Sequence, residues 1–228
     1  MAHYVMSDIH GEADRFHAML EKIQFSADDT LYIIGDVVDR GPEGISLLLE
    51  IMEMPNVVVL LGNHEHMMLQ YMSPDATGIE IRRWNKNGNA PTLDAYLRQK
   101  AKVQQRILSY LITRPSHMEV DVNGRSFYLV HAWPSENIHD EVWHRPKIDS
   151  PNPKPGCQVI IGHTKVLSMV QPEEAKIRYA MELEDRGEHL KILHTTGFIN
   201  IDCGCGYDMP IKALACIRLE DMVEFYIS

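Results

Sequence analysis

The 228-residue sequence has only 4 cysteines, 22 cationic side chains against 32 acidic ones, and no long apolar run. Each scarcity excludes something. Cys157, Cys203, Cys205 and Cys216 are too few and too clustered for a disulfide scaffold, so they are expected as free thiols in a reducing, cytoplasmic compartment. Cys203-Gly204-Cys205 has no second pair nearby and reads as small side chains packed in a strand, not as half of a soft metal site. The net charge of −10 opposes a basic-groove nucleic-acid binder and adhesion to anionic lipid. Val57 to Leu61 is the longest aliphatic run, far below the ~18 residues of a membrane span, and Asp8 and His10 fall where a secretory signal would be apolar. Internal repeats and low-complexity tracts are also missing. Histidine, by contrast, is abundant at 12 residues, each able to be neutral at pH 7 and to hold a metal.

The first third of the chain alternates two periodicities. Tyr4-Val5-Met6, Leu31 to Ile34 and Val57 to Leu61 are short β-rich runs ending in small or polar clusters, Ser7-Asp8, Gly35-Asp36 and Gly62-Asn63. Between them, Phe16, Met19, Leu20 and Ile23 share a helical stripe, as do Ile45, Leu48, Leu49 and Met52. This βαβαβ pattern predicts an α/β fold with parallel strands, whose ligands sit at the carboxyl ends of the strands. Every polar cluster just named lies at that edge. From about 72 to 115 the pattern predicts a helical insert, with Pro91-Thr92 as an N-cap and Trp84 to Ala90 as a turn-rich break. Asn123-Gly124 predicts a hairpin between Met118 to Val122 and Phe127 to Val130, and three prolines make Asp149 to Gly156 an extended loop. No linker divides residues 1–228, which are read as one domain.

Four clusters carry chemistry: Asp8-Ile9-His10-Gly11, Gly35 to Gly41, Gly62 to Glu65, and the later His131 and His163. Oxygen and imidazole donors of this mix suit divalent metals, manganese first, with iron or zinc as alternatives. In extended chain Asp8 and His10 point to one side and can chelate one ion together. Asp36 could reach that ion and a second, which Asn63, His131 and His163 would complete. Two such metals activate a bridging water, as hydroxide, for in-line displacement at phosphorus. His64 is the candidate general acid for the leaving oxygen, Asp39 the carboxylate that orients it, and Arg40 a guanidinium fork for phosphate. Glu65 reads as support for the helix start.

These residues resemble the phosphoprotein phosphatase branch of the calcineurin-like metallophosphoesterases, of the bacterial and phage type. That pattern is DxHG, GDxxDRG, GNHE, HA and GHT, met here at Asp8 to Gly11, Gly35 to Gly41, Gly62 to Glu65, His131-Ala132 and Gly162-His163-Thr164. The resemblance implies a two-sheet sandwich flanked by helices, with two metals at one sheet edge. It places Asp8, His10 and Asp36 on one metal and Asp36, Asn63, His131 and His163 on the other, with Asn63 also beside substrate. It implies proton donation by His64 with Asp39, and phosphate binding by Arg40 and, within Trp143-His144-Arg145, by Arg145. Two positions depart from the pattern: Asn89 replaces a glycine of a W-NGG-TL element, and Cys203 replaces the threonine of NIDTG. No counterpart of the tyrosine-bearing C-terminal loop of eukaryotic members is visible.

Taken singly, a histidine or aspartate at a strand end is a cap or a solvated loop residue; the ordered set is what favours a site. The expected activity is hydrolysis of phosphomonoesters, foremost phosphoserine or phosphothreonine in a phosphoprotein or phosphopeptide. The same motifs would serve a small phosphate ester or a dinucleoside polyphosphate such as diadenosine tetraphosphate. A non-catalytic phosphopeptide-binding module is the alternative from another class, and the intact acid–base pair argues against it.

Overall fold

A computed structural model describes residues 1–228. In chain order the elements begin β1 (His3–Met6), α1 (Ala13–Lys22), β2 (Thr30–Ile33), α2 (Gly44–Ile51), β3 (Val57–Val59) and α3 (Asn63–Met72). Three helices follow, α4 (Gly78–Lys86), α5 (Ala90–Leu97) and α6 (Ala101–Ile112), then the hairpin β4 (His117–Val122) and β5 (Arg125–Val130). The chain continues through α7 (Ile138–Trp143), β6 (Cys157–Ile161), α8 (Val166–Val170), α9 (Lys176–Asp185), β7 (Leu193–His194), β8 (Ile199–Asn200), β9 (Leu214–Arg218) and β10 (Glu224–Ile227).

Two five-stranded mixed sheets result, ordered β10-β9-β1-β2-β3 and β4-β5-β6-β8-β7. Within them β1, β2 and β3 are mutually parallel, as are β5, β6 and β8. Side-chain alternation along each strand explains why two sheets form. On β1, Val5 joins Leu129, Ile160, Ile199 and Ile217 between the sheets, whereas Tyr4 and Met6 face the other way onto Phe16, Ile45 and Leu48 of the helices. Tyr128, Val130, Val159 and Ile161 pack on the outer face of the second sheet. Each fully buried aliphatic side chain of this kind contributes about 1.5–3 kcal/mol. No helix is long and apolar enough to cross a membrane.

Trp84 to Ala90 differs from the turn read in the sequence. Trp84 lies inside α4 and is fully buried, and only residues 87–89 form the break. The N-cap of α5 is Asn89, with Pro91 in the first turn and Thr92 inside the helix. Proline at that position needs no N–H partner, so it starts the helix one step earlier than the Pro-Thr pair suggests. Thr92 is not spare: its Oγ1 accepts a hydrogen bond from the Asp39 backbone N–H at 2.8 Å.

The strand ends are tied together by Glu65, in the first turn of α3. Its buried carboxylate accepts hydrogen bonds from the backbone N–H groups of Asp36 (2.8 Å), Val37 (2.8 Å), Val38 (3.2 Å) and Gly62 (3.1 Å). Burial pushes its pKa up, with the Asp36 charge adding to it, and the donated N–H groups pull it back down. Gly62 permits the approach, because a Cβ there would stand 2.5 Å from the Asp36 amide nitrogen. Replacing Glu65 by Gln keeps the volume, removes the charge and turns two donors toward donors. The expected loss is about 2–4 kcal/mol of unfolding free energy in urea denaturation; a loss within ~0.5 kcal/mol contradicts this role for the carboxylate.

Candidate metal and phosphate site

The loops that leave β1, β2, β3, β5, β6 and β8 meet at one edge, and they bring together every strand-end residue singled out in the sequence. The Asp36 Oδ2 atom is central, 3.5 Å from His10 Nε2, 3.4 Å from His131 Nε2 and 3.8 Å from His64 Nε2. Asp8 Oδ1 lies 3.9 Å from His10 Nε2. The side-chain oxygen of Asn63 is 2.9 Å from both His131 Nε2 and His163 Nδ1. Asp8, His10, Asp36, Asn63, His64, His131 and His163 are all buried.

Neighbouring backbone groups select which atom each ring presents. His10 Nδ1 faces the carbonyl of Val38 at 2.9 Å, and His131 Nδ1 faces that of Ile34 at 2.9 Å. Donation to these carbonyls fixes each ring's orientation and turns each Nε2 toward Asp36. The other oxygen of Asp36 accepts from the His64 backbone N–H at 3.0 Å, and Asp8 Oδ2 accepts from Ser7 Oγ and the His163 N–H. Gly162 leaves room for Asp8 and Ser7, since a Cβ would run into both side chains.

Lone pairs and carboxylates facing one another repel unless a cation lies among them, and the arrangement therefore fits metal. Two overlapping groups have ligand atoms within 4.8 Å of one another, His10 with Asp36 and His64, and Asp36 with His131 and His163. His163 Nε2 is buried without any partner. The protein itself supplies substitute positive charge: Arg40 Nη1 donates to His10 Nε2 at 2.6 Å. Burial pulls the His131 pKa down, yet the Asp36 and Asp8 carboxylates outweigh it and lift it to about 9. Burial and the neighbouring Asp202 and Asp36 charges push the Asp8 carboxyl well up. His10 and His163 are held well below the usual imidazole range, first by burial, then by the adjacent cationic groups. Nitrogen and oxygen donors with both imidazole and carboxylate could hold a pair of divalent ions, with Asp36 as the shared ligand.

Beside these donors, His64 Nδ1 donates to Asp39 Oδ2 at 2.6 Å. The same oxygen accepts from Trp84 Nε1 at 2.7 Å, so the carboxylate is fixed from two directions. His64 Nε2 then points into the site, where Arg40 Nη2 lies 3.1 Å away. Arg145 is exposed at the rim, its Nη1 donating to Thr164 Oγ1 at 3.2 Å.

Several neighbours of the site went unread in the sequence. Trp84 falls in the turn predicted from the sequence, and nothing in the local pattern pairs it with Asp39 across 45 positions. Tyr207 supplies a C-terminal tyrosine where none was expected, its ring centroid 4.2 Å from the Arg40 guanidinium carbon. The signal was available, since Tyr207 follows the β8 strand end and lies in the same row of loops. Cys203 and Cys205 are buried, and burial holds both thiols protonated, with Cys205 pushed up to about 12. They do not form a thiolate metal site.

A sequence model described as calcineurin-like phosphoesterase matches residues 1–198. A protein named symmetrical bis(5'-nucleosyl)-tetraphosphatase from Wigglesworthia glossinidia brevipalpis is 29% identical over 166 residues, covering 63% of this chain and 61% of that protein. A protein of the same name from Delftia acidovorans is 34% identical over 149 residues, covering 60% of this chain and 48% of that protein. The chain thus spans about half the length of these relatives. Among solved structures, a protein serine/threonine phosphatase from Saccharomyces cerevisiae superposes with a TM-score of 0.58 at 14% identity, over 96% of this chain and 72% of that one. At that identity the likeness concerns the fold alone.

Metal addition should stabilise the folded chain. At a hundredfold excess over Kd a bound ion contributes about 2.7 kcal/mol, or roughly 5–10 °C in Tm for a chain of this size. Manganese added to chelator-treated protein is expected to raise Tm by that amount in calorimetry, and Asp36→Asn to remove the response. An unchanged response in that variant contradicts the shared-ligand placement.

Proposed function

Because the chain belongs to the calcineurin-like phosphoesterases, whose members bind two divalent metals, we propose that it is a metal-dependent phosphoric ester hydrolase acting on dinucleoside polyphosphates. The observation that carries the substrate class is the shared name of its relatives, symmetrical bis(5'-nucleosyl)-tetraphosphatase, at 29–34% identity over 60–63% of this chain. That name matches the alternative reading of the motifs and gives less support to the phosphoprotein one. Manganese suits the hard, mixed oxygen and nitrogen donor set, with iron or zinc as the alternatives.

The proposed site residues divide the work. Asp8, His10 and Asp36 would hold one ion, and Asp36, Asn63, His131 and His163 the other. When bound, the pair of ions supplies a nucleophile at neutral pH and positive charge at the reacting phosphorus. Arg40, which reaches both His10 and His64 from the rim, places its guanidinium over the same point and would grip non-bridging phosphate oxygens. Arg145, exposed at the rim beside Thr164, would do the same. His64, held by Asp39, would carry a proton on Nε2 toward the leaving oxygen. Symmetrical cleavage of a tetraphosphate bridge breaks its central P–O–P link: water oxygen joins one inner phosphorus, and the other departs with the bridging oxygen as a nucleoside diphosphate.

The leaving group sets how much the proton matters. A departing phosphate has a pKa of roughly 6, like the second ionisation of phosphoserine, whereas serine leaves as a far more basic alkoxide. His64→Asn is therefore expected to lower kcat on diadenosine tetraphosphate by about 10–10², and on any alkyl phosphate the protein accepts by ~10²–10⁴. Metal content, measured on the same samples, should not change. A direct comparison decides the substrate: kcat/KM on diadenosine tetraphosphate should exceed that on a phosphoserine peptide, with nucleoside diphosphate as the only product. A higher value on the peptide overturns this function in favour of a protein phosphatase.

A further inference from the structure

We propose that Lys165, held with Arg40 on the ring of Tyr207, forms a cationic rail that binds a second phosphate of the substrate, next to the one under attack. The inference rests on the reading of a polyphosphate substrate and adds residues that no motif of the chain contains.

Lys165 follows His163-Thr164 at the strand-end edge, directly before α8. It is half-buried, and its ammonium makes neither a hydrogen bond nor an ion pair with the protein. Its Nζ lies 3.5 Å from the centroid of the Tyr207 ring. The Arg40 guanidinium carbon lies 4.2 Å from the same centroid, so the two cations can be no further apart than those two distances together. One aromatic ring thus gathers two like charges that would otherwise repel. Of the two, Arg40 already reaches His10 and His64, at the reacting centre, and Lys165 stands one step outward.

The surroundings fit a ligand with two arms. Arg40, Gly88 and Tyr207 line a cleft of about 380 Å³ that also includes Lys86 and Asp208. Arg145 and Thr164 line another of about 540 Å³, with Lys147 and Asp149. Lys165 joins them: its ammonium lies over the ring of Tyr207, which lines the first cleft, and its backbone adjoins Thr164 of the second. A phosphomonoester has one phosphate, which Arg40 and Arg145 can serve between them. A polyphosphate presents a further anionic group within one P–O–P link, and Lys165 is the unpaired cation at that remove. Lys165 is therefore a specificity-determining residue, and Tyr207 a positioning residue that acts through it.

Calorimetric titration of the manganese-loaded protein with ADP and with AMP tests this, because the two ligands differ by one phosphate. Lys165→Ala should weaken ADP about tenfold more than AMP, the effect of losing one charge-assisted hydrogen bond. Tyr207→Ala should reproduce that selective loss, and Tyr207→Phe, which keeps the ring, should restore the parent ratio. An ADP-to-AMP ratio unchanged by Lys165→Ala overturns the rail, as does an equal loss for both ligands. If diadenosine tetraphosphate is not hydrolysed while the ratio still responds to Lys165, the substrate reading fails and the rail stands.

Discussion

A single buried carboxylate, Glu65, holds the parts of the site in register. It accepts four backbone N–H groups, three from the loop after β2 and one from the loop after β3. A buried anion is costly unless its lone pairs are filled, and the two loops can fill them only in one relative position. Asp36 is the first of the three donors in the loop after β2, so the placement of this central carboxylate follows from the Glu65 side chain that holds its backbone. The Asp36 side chain returns the link through the His64 amide, which starts the helix that carries Glu65. Loop and helix therefore fix each other.

Much of this edge was legible in the sequence because strand ends leave a short-range mark: an apolar run followed by a glycine, an acid or an imidazole. Asp8, His10, Asp36, Asn63, His131 and His163 all follow that rule, and the parallel order of β1, β2 and β3 is the expected product of two short crossovers. The pairings across the chain were not legible. Trp84 reaches Asp39, Thr92 caps the Asp39 amide, and Tyr207 lies against Arg40, and each partner is set by the tertiary fold rather than by spacing. The helix boundaries near residues 84–92 were misread for a related reason. Asparagines and a glycine signal a break without saying on which side of it the tryptophan falls. The C-terminal half of the chain carried weaker marks still, since β7 and β8 are only two residues long each and show no period.

Charge tells a similar story at two scales. The whole chain carries −10, which opposes polyanions in general. At the strand-end edge Arg40, Arg145 and Lys165 converge, and the carboxylates there point inward to the imidazoles rather than outward to solvent. An anion approaching this edge meets guanidinium and ammonium groups before it meets Asp8 or Asp36. Global repulsion with local attraction favours a compact, highly charged ligand over an extended polymer, because only the former can stay within the positive region.

Backbone strain shows how tightly the arrangement is held. Nine non-glycine residues have a left-handed backbone, and six of them are Asp8, His10, Asp36, Asp39, Arg40 and His163. Such conformations cost of order 1–3 kcal/mol each and persist only where the surroundings over-determine them. Here the determinants are visible: Glu65 binds the 36–38 amides, Thr92 the Asp39 amide, the Gly88 carbonyl the Arg40 amide at 2.9 Å, and Asp8 the His163 amide. Each strained residue aims a side chain that regular β or α backbone would direct elsewhere. A loop free to relax would let donors and carboxylates turn away from one another, which their mutual repulsion favours. The strain and the charge crowding thus have one common remedy in the fold, the network of amide hydrogen bonds behind these side chains, and that network keeps the two histidine clusters facing a single aspartate.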